Sequence, residues 1–291
     1  MKQFTTVGIF SKQKDNRIEN TLKQLHDFLK KEDFKIVAEE NAAKLLDIEA
    51  MSTDQFRDCI DLAIVVGGDG TLLKAGRLLA DKNIPVIGIN LGRLGFLVDI
   101  SPDEINTELS KMLKGDYTLE TRSLLHAEAF RGRTSLGEGI ALNDVVLHVR
   151  NDIRMIEFTT HIDDHFVNTQ RADGIVIATP TGSTAYALSG GGPILHPGLD
   201  AVVLVPICPH TLSNRPIVVS NESRINISMC DNRNVDARLS FDGQSNIELK
   251  AGDHIKIRQK SHKLQLMHPK EYDYFHILRN KLGWSLDVTA L

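Results

Sequence analysis

The sequence predicts an α/β domain joined to an all-β domain, because the hydrophobic periodicity changes along its 291 residues. From residue 1 to about 120, apolar runs alternate with helical patterns, which is typical of β-α-β units around a mainly parallel sheet. From about 122 to 268, short alternating segments are separated by Gly, Asn, Asp and Pro, which favours antiparallel strands. A last segment, 271 to 282, returns to helical spacing and meets Gly283 as a stop signal.

The first half divides into strands and helices in turn. Its predicted strands are Thr5–Phe10, Phe34–Val37, Leu62–Val66 and Pro85–Ile89. Its predicted helices follow the spacing of Ile18, Leu22, Leu25 and Leu29, and of Leu72, Leu73, Gly76 and Leu79. The continuous apolar run Leu62–Val66 indicates a strand buried on both faces of the sheet.

Segments with period-two alternation mark the second half. The clearest strands are Glu157–Ile162 and Asp253–Ile257. His161 and His165 flank an Asp-Asp pair that indicates a hairpin turn, and no H-E-x-x-H occurs, so we expect no zinc site.

Composition and charge exclude several classes of function. The chain is 25% charged with a formal net charge of −4, and its Lys and Arg residues are scattered, so no basic surface for nucleic acid or membrane is expected. No window approaches the ~20 apolar residues of a membrane span, and no signal peptide is evident, so we expect a cytoplasmic protein. Cys59, Cys208 and Cys230 lack C-x-x-C spacing, which fits reduced thiols.

A glycine-rich turn, Gly67–Thr71, follows a buried strand and precedes a helix, where backbone N–H groups favour phosphate. It lacks the Gly-Lys-Ser/Thr of a Walker A loop, and Leu73 occupies the third small position of the dinucleotide fingerprint. Asp69 distinguishes the turn, since a carboxylate beside polyphosphate is repelled unless it accepts a proton, contacts a sugar hydroxyl or holds a metal. The alternative is that Asp69 only suits the turn geometry.

Further glycine-rich turns follow strands, at Gly88–Phe96, Thr179–Tyr186 and Gly190–Pro193. Thr179–Tyr186 offers several hydroxyl and N–H donors without a cation. A loop that caps a helix beginning near Thr184 would account for Ser183 or Thr184, but not for the whole run.

Taken together, Gly67–Thr71, Leu142–Asp144, Thr179–Tyr186 and Gly190–Pro193 are similar in residues and order to the NAD kinase family. The resemblance covers nearly the whole chain and points to the ATP-dependent bacterial members. The G-G-D-G-T turn is shared with diacylglycerol and sphingosine-type lipid kinases and, more loosely, with phosphofructokinases. The T-P-T-G-S-T-A-Y run is much more specific.

This resemblance implies a fold and an activity. The fold is a Rossmann-like α/β nucleotide-binding domain at 1–121, with 270–291 packing back on it, and a β-sandwich-like domain at 122–269, with NAD bound between them. The activity is transfer of the terminal phosphate of ATP to the 2′-hydroxyl of the adenosine ribose of NAD, with Mg²⁺ or another divalent cation. The partners are NAD and ATP, without nucleic acid or membrane, in a homodimer or homotetramer.

Site residues also follow from the resemblance. Asp69 is the general base and Gly70 leaves room for the diphosphate. Asn143 reads a base edge or hydroxyl, and Asp144 accepts from ribose hydroxyls. From the residues alone, an Asx turn before the strand at 145–147 is the alternative for this pair.

The resemblance places more residues around the dinucleotide. Arg154, Arg171 and Asp173 line its site, although surface ions are the alternative. Gln244 contacts the nucleotide, although Asp242-Gly243 is also what a hairpin needs. The segment that wraps NAD comprises Thr184, Ala185, Tyr186, Ala187, Leu188 and Ser189, with a core role as the alternative for Tyr186.

Two other functions remain open from the sequence. A lipid kinase of the diacylglycerol type shares the Asp69 turn, but the Thr179–Tyr186 run argues against it. A non-catalytic NAD(H)-binding regulator keeps the binding residues, but it has no need of a base such as Asp69. Arg171 resembles the arginine of members that prefer the oxidised dinucleotide, so we expect NAD to be a better substrate than NADH.

Overall fold

The computed structural model describes residues 4–12, 16–92, 95–150, 155–230 and 236–284. Residue contacts group the chain into two compact units, Met1–Thr121 with Leu264–Leu291, and Arg122–Lys263. The domain boundaries at 121 and 269 given above stay predictions.

The described strands are β1 Thr6–Ser11, β2 Lys35–Ala38, β3 Leu62–Gly67, β4 Pro85–Asn90, β5 Tyr117–Arg122, β6 Leu125–Arg131, β7 Thr134–Ala141, β8 Asp144–Val149, β9 Ile156–Ile162, β10 His165–Ala172, β11 Gly174–Ala178, β12 Ala201–Ile207, β13 Ile217–Ser220, β14 Ile225–Met229, β15 Ala237–Phe241, β16 Ser245–Leu249, β17 His254–Gln259 and β18 Leu264–Pro269. The α-helices are α1 Asn16–Lys31, α2 Glu40–Leu46, α3 Thr53–Cys59, α4 Asp69–Leu79, α5 Ser110–Leu113, α6 Tyr186–Ser189 and α7 Tyr274–Leu282. The segments Pro102–Glu104 and Thr181–Thr184 are 3₁₀ helices, and Ile105–Leu109 is a π-helix.

The first unit contains a six-stranded sheet in the order β2-β1-β3-β4-β18-β5. Strand β1 is parallel to β2 and β3, β3 is parallel to β4, and β4 is parallel to β18. Every residue of β3 is buried, as its uninterrupted apolar run predicts. The α/β half of the predicted fold is confirmed.

The predicted helices of this unit are present. The apolar stripe of α1, comprising Ile18, Leu22, Leu25 and Leu29, is fully buried in the core. Helix α7 begins later than the periodicity indicates, because the carboxylate of Asp273 caps its first turn and accepts a hydrogen bond from Phe275 N at 2.8 Å. It ends at Gly283, which adopts a left-handed conformation with φ of 68°.

The second unit contains two six-stranded sheets, in the orders β10-β9-β14-β17-β6-β7 and β13-β12-β11-β8-β15-β16. All of their described pairings are antiparallel. One core combines Ala127 and Ile257 of the first of these sheets with Leu147 and Leu239 of the second. Because two antiparallel sheets bury one core, the β-sandwich half of the predicted fold is also confirmed.

A second, smaller core covers part of the outer face of the β8-containing sheet. It joins Val146, Val176 and Val205 to Ala187 and Leu195, which lie in the segment between β11 and β12. That segment therefore packs on the sheet rather than extending from it.

Local geometry tests several of the predicted turns. Asp163 and Asp164 have φ of 50° and 67°, and Asp242 and Gly243 have φ of 49° and 64°, as two-residue hairpin turns require. No regular α-helix begins at Thr184; residues 181–184 form a 3₁₀ turn instead, and α6 follows it. No helix among the described residues has the length and apolar character to cross a membrane.

Candidate functional site

Asp69 is the first residue of α4 in the first unit, and Gly68 alone separates it from the end of β3. The carboxylate of Asp69 accepts hydrogen bonds from two successive backbone N–H groups of the loop after β4, Phe96 N to Oδ2 at 3.1 Å and Leu97 N to Oδ1 at 3.0 Å. The side chain is half-buried. Its orientation is therefore fixed from outside its own turn.

Glycines shape both segments that meet at Asp69. A side chain on Gly68 or Gly70 would enter open space, so the turn has an unobstructed backbone surface. A β-carbon on Gly67 would overlap the side chain of Thr71, and one on Gly95 would overlap the Asp69 carboxylate. The open side of the turn thus suits a phosphate group, and the closed side holds Asp69.

A cavity of about 430 Å³ lies in the second unit, on the outer face of the sheet that contains β8 and β15. Asp144, Val146 and His148 alternate along β8, so their side chains share this face. Arg238 and Ser240 of β15 join them in register, opposite His148 and Val146. The described lining residues are Asn143, Asp144, Val146, His148, Ala185, Tyr186, Arg238, Ser240, Asp242, Gly243, Ser245 and Asn246.

The structure brings four predicted site residues, Asn143, Asp144, Ala185 and Tyr186, to this cavity. Tyr186 is 47% exposed, so the core role that was its alternative is wrong. Its exposed ring and hydroxyl give the cavity a flat apolar surface with a polar edge.

Asn143 and Asp144 are held by the Asp242 carboxylate. Asp242 Oδ1 accepts from Asn143 N at 2.8 Å and from Asp144 N at 3.2 Å, and Oδ2 accepts from Leu142 N at 3.1 Å. In return, Asp242 N donates to Asp144 O at 3.0 Å. The pair therefore lies at the start of β8 in a turn clamped by the β15–β16 hairpin.

Asp144 has a strongly altered acidity. It is 5% exposed, and burial, followed by the nearby charge of Asp242, raises its pKa to about 7. Burial and the charge of Arg238 lower the pKa of His148, whose Nε2 lies 2.8 Å from Arg238 Nε. The carboxyl group of Asp144 therefore titrates near neutral pH, where it can change its hydrogen-bonding role.

The hydroxyls of the Thr179–Tyr186 run have largely structural roles. Thr179 Oγ1 donates to Leu142 O at 2.6 Å, and Gly182 N donates to Thr179 Oγ1 at 3.2 Å. A β-carbon on Gly182 would overlap Asn143 O. The run therefore fixes the backbone just before Asp144, and its early hydroxyls face the protein.

The other residues of the predicted NAD segment lie around α6. Ala187 is fully buried in the smaller core, and Thr184 Oγ1 donates to Thr181 O at 3.2 Å. Leu188 is half-buried and Ser189 is exposed. These four residues are absent from the described lining of the cavity.

Arg171 and Asp173 lie away from this cavity. Asp173 O accepts from Val149 N at 2.9 Å, at the end of β8 opposite Asp144. At a rise of about 3.4 Å per residue, the two ends of β8 are roughly 17 Å apart. Arg171 is exposed on β10, a strand of the other sheet.

Two further predicted residues are not placed in the cavity. Gln244 is exposed in the hairpin turn, and the cavity lining contains Gly243 and Ser245 beside it. Arg154 lies outside the described residues.

The sequence reasoning missed His148, Arg238, Ser240 and Asn246 as cavity residues. The period-two pattern was available as a signal, because His148 alternates with Asp144, and Arg238 and Ser240 alternate with buried Leu239. Their convergence depends on the register of β8 against β15, which a single sequence does not specify.

No group of three or more His, Cys, Asp or Glu side chains in the described part of the chain is arranged to hold a metal ion. Asp69 can still offer a carboxylate oxygen to a cation, because each oxygen has a second lone pair. That donor set fits Mg²⁺ bound mainly by phosphate and water, which is its usual mode beside nucleotides.

Comparison with known proteins agrees with both units. The model of the ATP-NAD kinase N-terminal domain matches residues 7–117, and that of the ATP-NAD kinase C-terminal domain matches residues 142–269. The chain is 46% identical to the NAD kinase of Marinobacter nauticus, with 100% of both proteins covered. It is also 46% identical to that of Pseudomonas putida, over 98% of this chain and 97% of the relative.

Solved structures show the same likeness. Yeast NADH kinase in complex with NADH has a TM-score of 0.89 at 25% identity, covering 97% of this chain and 89% of the yeast chain. The NAD kinase of Archaeoglobus fulgidus in complex with ATP has a TM-score of 0.74 at 25% identity, covering 96% of this chain and 98% of the archaeal one. The chain therefore belongs to the NAD kinase family.

Proposed function

We propose that this protein transfers the terminal phosphate of ATP to the 2′-hydroxyl of the adenosine ribose of NAD and so forms NADP. The observation that carries this proposal is the cavity shared by Asn143, Asp144 and Tyr186. It offers amide, carboxyl and aromatic groups, as recognition of a nucleoside requires. The relatives named NAD kinase support the choice of NAD as acceptor.

Asp69 is the proposed general base. Its two oxygens each accept one backbone N–H, and each retains a lone pair that can receive the proton of the 2′-hydroxyl. As the hydroxyl oxygen attacks the γ-phosphorus, its proton passes to Asp69 and the bond to ADP breaks. The fixed carboxylate contributes positioning as well as basicity, which suits a reaction governed by alignment and charge.

Asn143 and Asp144 are the proposed contacts to the nucleoside. An ionised Asp144 accepts hydrogen bonds from ribose hydroxyls, and the Asn143 amide both donates and accepts at a base or sugar edge. The exposed ring of Tyr186 supplies a stacking surface beside them.

Gly70 leaves the backbone surface of the Asp69 turn open for a diphosphate. With ATP bound, Asp69 could offer a carboxylate oxygen to the proposed divalent cation, Mg²⁺ or another, which would neutralise charge on the transferring phosphate. The archaeal relative that binds ATP supports ATP as donor.

Other features inferred from the family stay proposals. One is that NAD contacts Arg154, Arg171, Asp173, Gln244 and the segment 184–189. The others are a preference for NAD over NADH, a homodimeric or homotetrameric state, and a cytoplasmic location. Because Arg171 and Asp173 lie away from the cavity, we assign them to a part of the dinucleotide that Asp144 does not reach.

An assay of the purified chain with ATP, Mg²⁺ and NAD tests the proposal directly. Formation of NADP, with NAD used more efficiently than NADH in kcat/KM, is the expected result. NAD binding without any NADP would identify a regulator, and phosphorylation of diacylglycerol in place of NAD would identify a lipid kinase.

A further inference from the structure

The β15–β16 hairpin contacts the start of β8 through the side chain of Asp242. The Asp242 carboxylate accepts from three successive backbone N–H groups, those of Leu142, Asn143 and Asp144, at 3.1, 2.8 and 3.2 Å. These are the groups that set the direction of the Asn143 and Asp144 side chains. A change at Asp242 therefore reaches both proposed nucleoside contacts at once.

The hairpin itself does not require this carboxylate. Asp242 and Gly243 occupy two left-handed positions, with φ of 49° and 64°, and Asn-Gly satisfies such a turn as well as Asp-Gly does. An asparagine, however, has one acceptor oxygen and could not accept from all three N–H groups. The use of aspartate is thus explained by the turn before β8 and not by its own hairpin.

The same choice has an electrostatic cost. Asp242 lines the cavity together with the buried Asp144, and the negative charge of Asp242 adds to burial in raising the pKa of Asp144 to about 7. The other titratable or charged groups in the described lining are His148, Arg238 and Tyr186. If Asp242 served only to hold the turn, its negative charge beside the substrate-binding carboxyl group of Asp144 would be unfavourable.

We infer that Asp242 is a positioning residue for the NAD site, which fixes Asn143 and Asp144 through three backbone hydrogen bonds and places a second carboxylate beside Asp144. The inference rests on the proposed function, in which Asp144 accepts hydrogen bonds from ribose hydroxyls. Asp242 itself stays bonded to the backbone and acts on NAD through Asp144. NAD affinity consequently increases as pH rises and Asp144 loses its proton. The pH at the midpoint of this increase depends on Asp242.

Calorimetric titration of the full chain with NAD between pH 5.5 and 9 tests this inference. In Asp242→Asn the loss of charge should move the midpoint of NAD affinity to lower pH by about one unit, because a nearby like charge shifts a carboxyl pKa by roughly that amount or more. In Asp242→Ala the loss of all three backbone hydrogen bonds should also weaken NAD binding at every pH, by roughly tenfold.

Matched variants separate this role from general damage. Asp163 occupies an equivalent left-handed hairpin position and accepts from Arg224 N at 2.8 Å, so Asp163→Asn should leave the NAD midpoint unchanged. Asp144→Asn, in contrast, should abolish the pH dependence of NAD affinity.

The outcomes distinguish the inference from the proposed function. A wild-type chain that binds no NAD would refute the proposed function and, with it, the inference. Wild-type NAD binding combined with an unshifted midpoint in folded Asp242→Asn would overturn the inference alone, and so would an equal shift in the control Asp163→Asn. If Asp242→Ala does not fold, the pH midpoint of NAD affinity in Asp242→Asn still tests the inference.

Discussion

Gly95 packs against the carboxylate of Asp69 so closely that a β-carbon at Gly95 would overlap Oδ1. The same loop donates the two backbone hydrogen bonds that hold Asp69, from Phe96 N and Leu97 N. The proposed base is therefore positioned by the loop after β4, although it is itself the first residue of α4, the helix that follows β3.

This relationship predicts that Gly95→Ala impairs catalysis while the protein remains folded. The added methyl group would overlap both the Asp69 carboxylate and the Val98 side chain, so these must shift, and a displacement of Asp69 by about 1 Å can cost roughly 10²-fold in rate. We expect kcat for NADP formation to fall by about that factor. Gly92→Ala is the control, since a β-carbon there would lie 3.7 Å from Arg17 Nη1, an ordinary contact. Equal kcat values for the two variants would contradict the positioning role of the loop.

A second prediction concerns stability and pH. The pKa of Asp144 is raised to about 7 from its usual 3.8, so between these values the folded chain retains a proton that the unfolded chain has released. The free energy of unfolding therefore falls as pH rises through this window and levels off above about 7. At about 1.4 kcal/mol for each pKa unit, the loss approaches roughly 4 kcal/mol.

Asp144→Asn should remove this loss. Urea unfolding at pH 8 should show the variant to be more stable than the wild type, and the advantage should shrink as the pH is lowered to 5. The same variant should bind NAD more weakly, because it lacks the carboxylate that contacts the ribose. A residue kept for function often lowers stability in this way. A stability difference that is the same at both pH values would refute the prediction.

A third prediction concerns an ion pair of the second unit whose carboxylate is buried. Asp253 has no exposed surface, and its oxygens accept from Arg131 Nε and Nη2, both at 2.8 Å, and from Lys250 N at 2.7 Å. Arg131→Ala leaves that carboxylate without its cation, which should lower the free energy of unfolding. Arg150→Ala should cost less, because its partner Glu248 is 65% exposed and stays solvated.

Urea unfolding of both variants measures this difference. In an Asp253→Asn background, Arg131→Ala should cost much less than it does in the wild type, since no buried charge is left unpaired. Equal costs in the two backgrounds would show that Arg131 and Asp253 are not coupled.

Local patterns predicted most of the elements and part of the site. The apolar stripe of α1 and the run of β3 each identify one element without long-range information. Local motifs likewise predicted functional roles for Asp69, Asn143 and Tyr186. Helix α3 was not predicted, because a short helix has few apolar positions, although its capping box of Ser52 and Gln55 is a local signal that could have identified it.

Long-range partners escaped prediction. Asp242 and Asp144 are separated by 98 positions, and each has a satisfactory local explanation, a hairpin for one and an Asx turn for the other. Only the register of β15 on β8 brings the two carboxyl groups together, and it brings Arg238 to His148 in the same way. Register depends on packing of whole sheets, which short motifs do not encode.

Asp69→Asn tests most directly whether Asp69 acts as the base in phosphorylation of NAD. The substitution keeps the size of the side chain but removes its charge and its ability to take a proton. We predict that kcat for NADP formation falls by roughly 10²–10⁴ while NAD still binds, and that raised Mg²⁺ or added Mn²⁺ does not restore it. Rescue by metal would assign Asp69 to the cation instead, and wild-type turnover at saturating substrates and ordinary Mg²⁺ would contradict its role as the base.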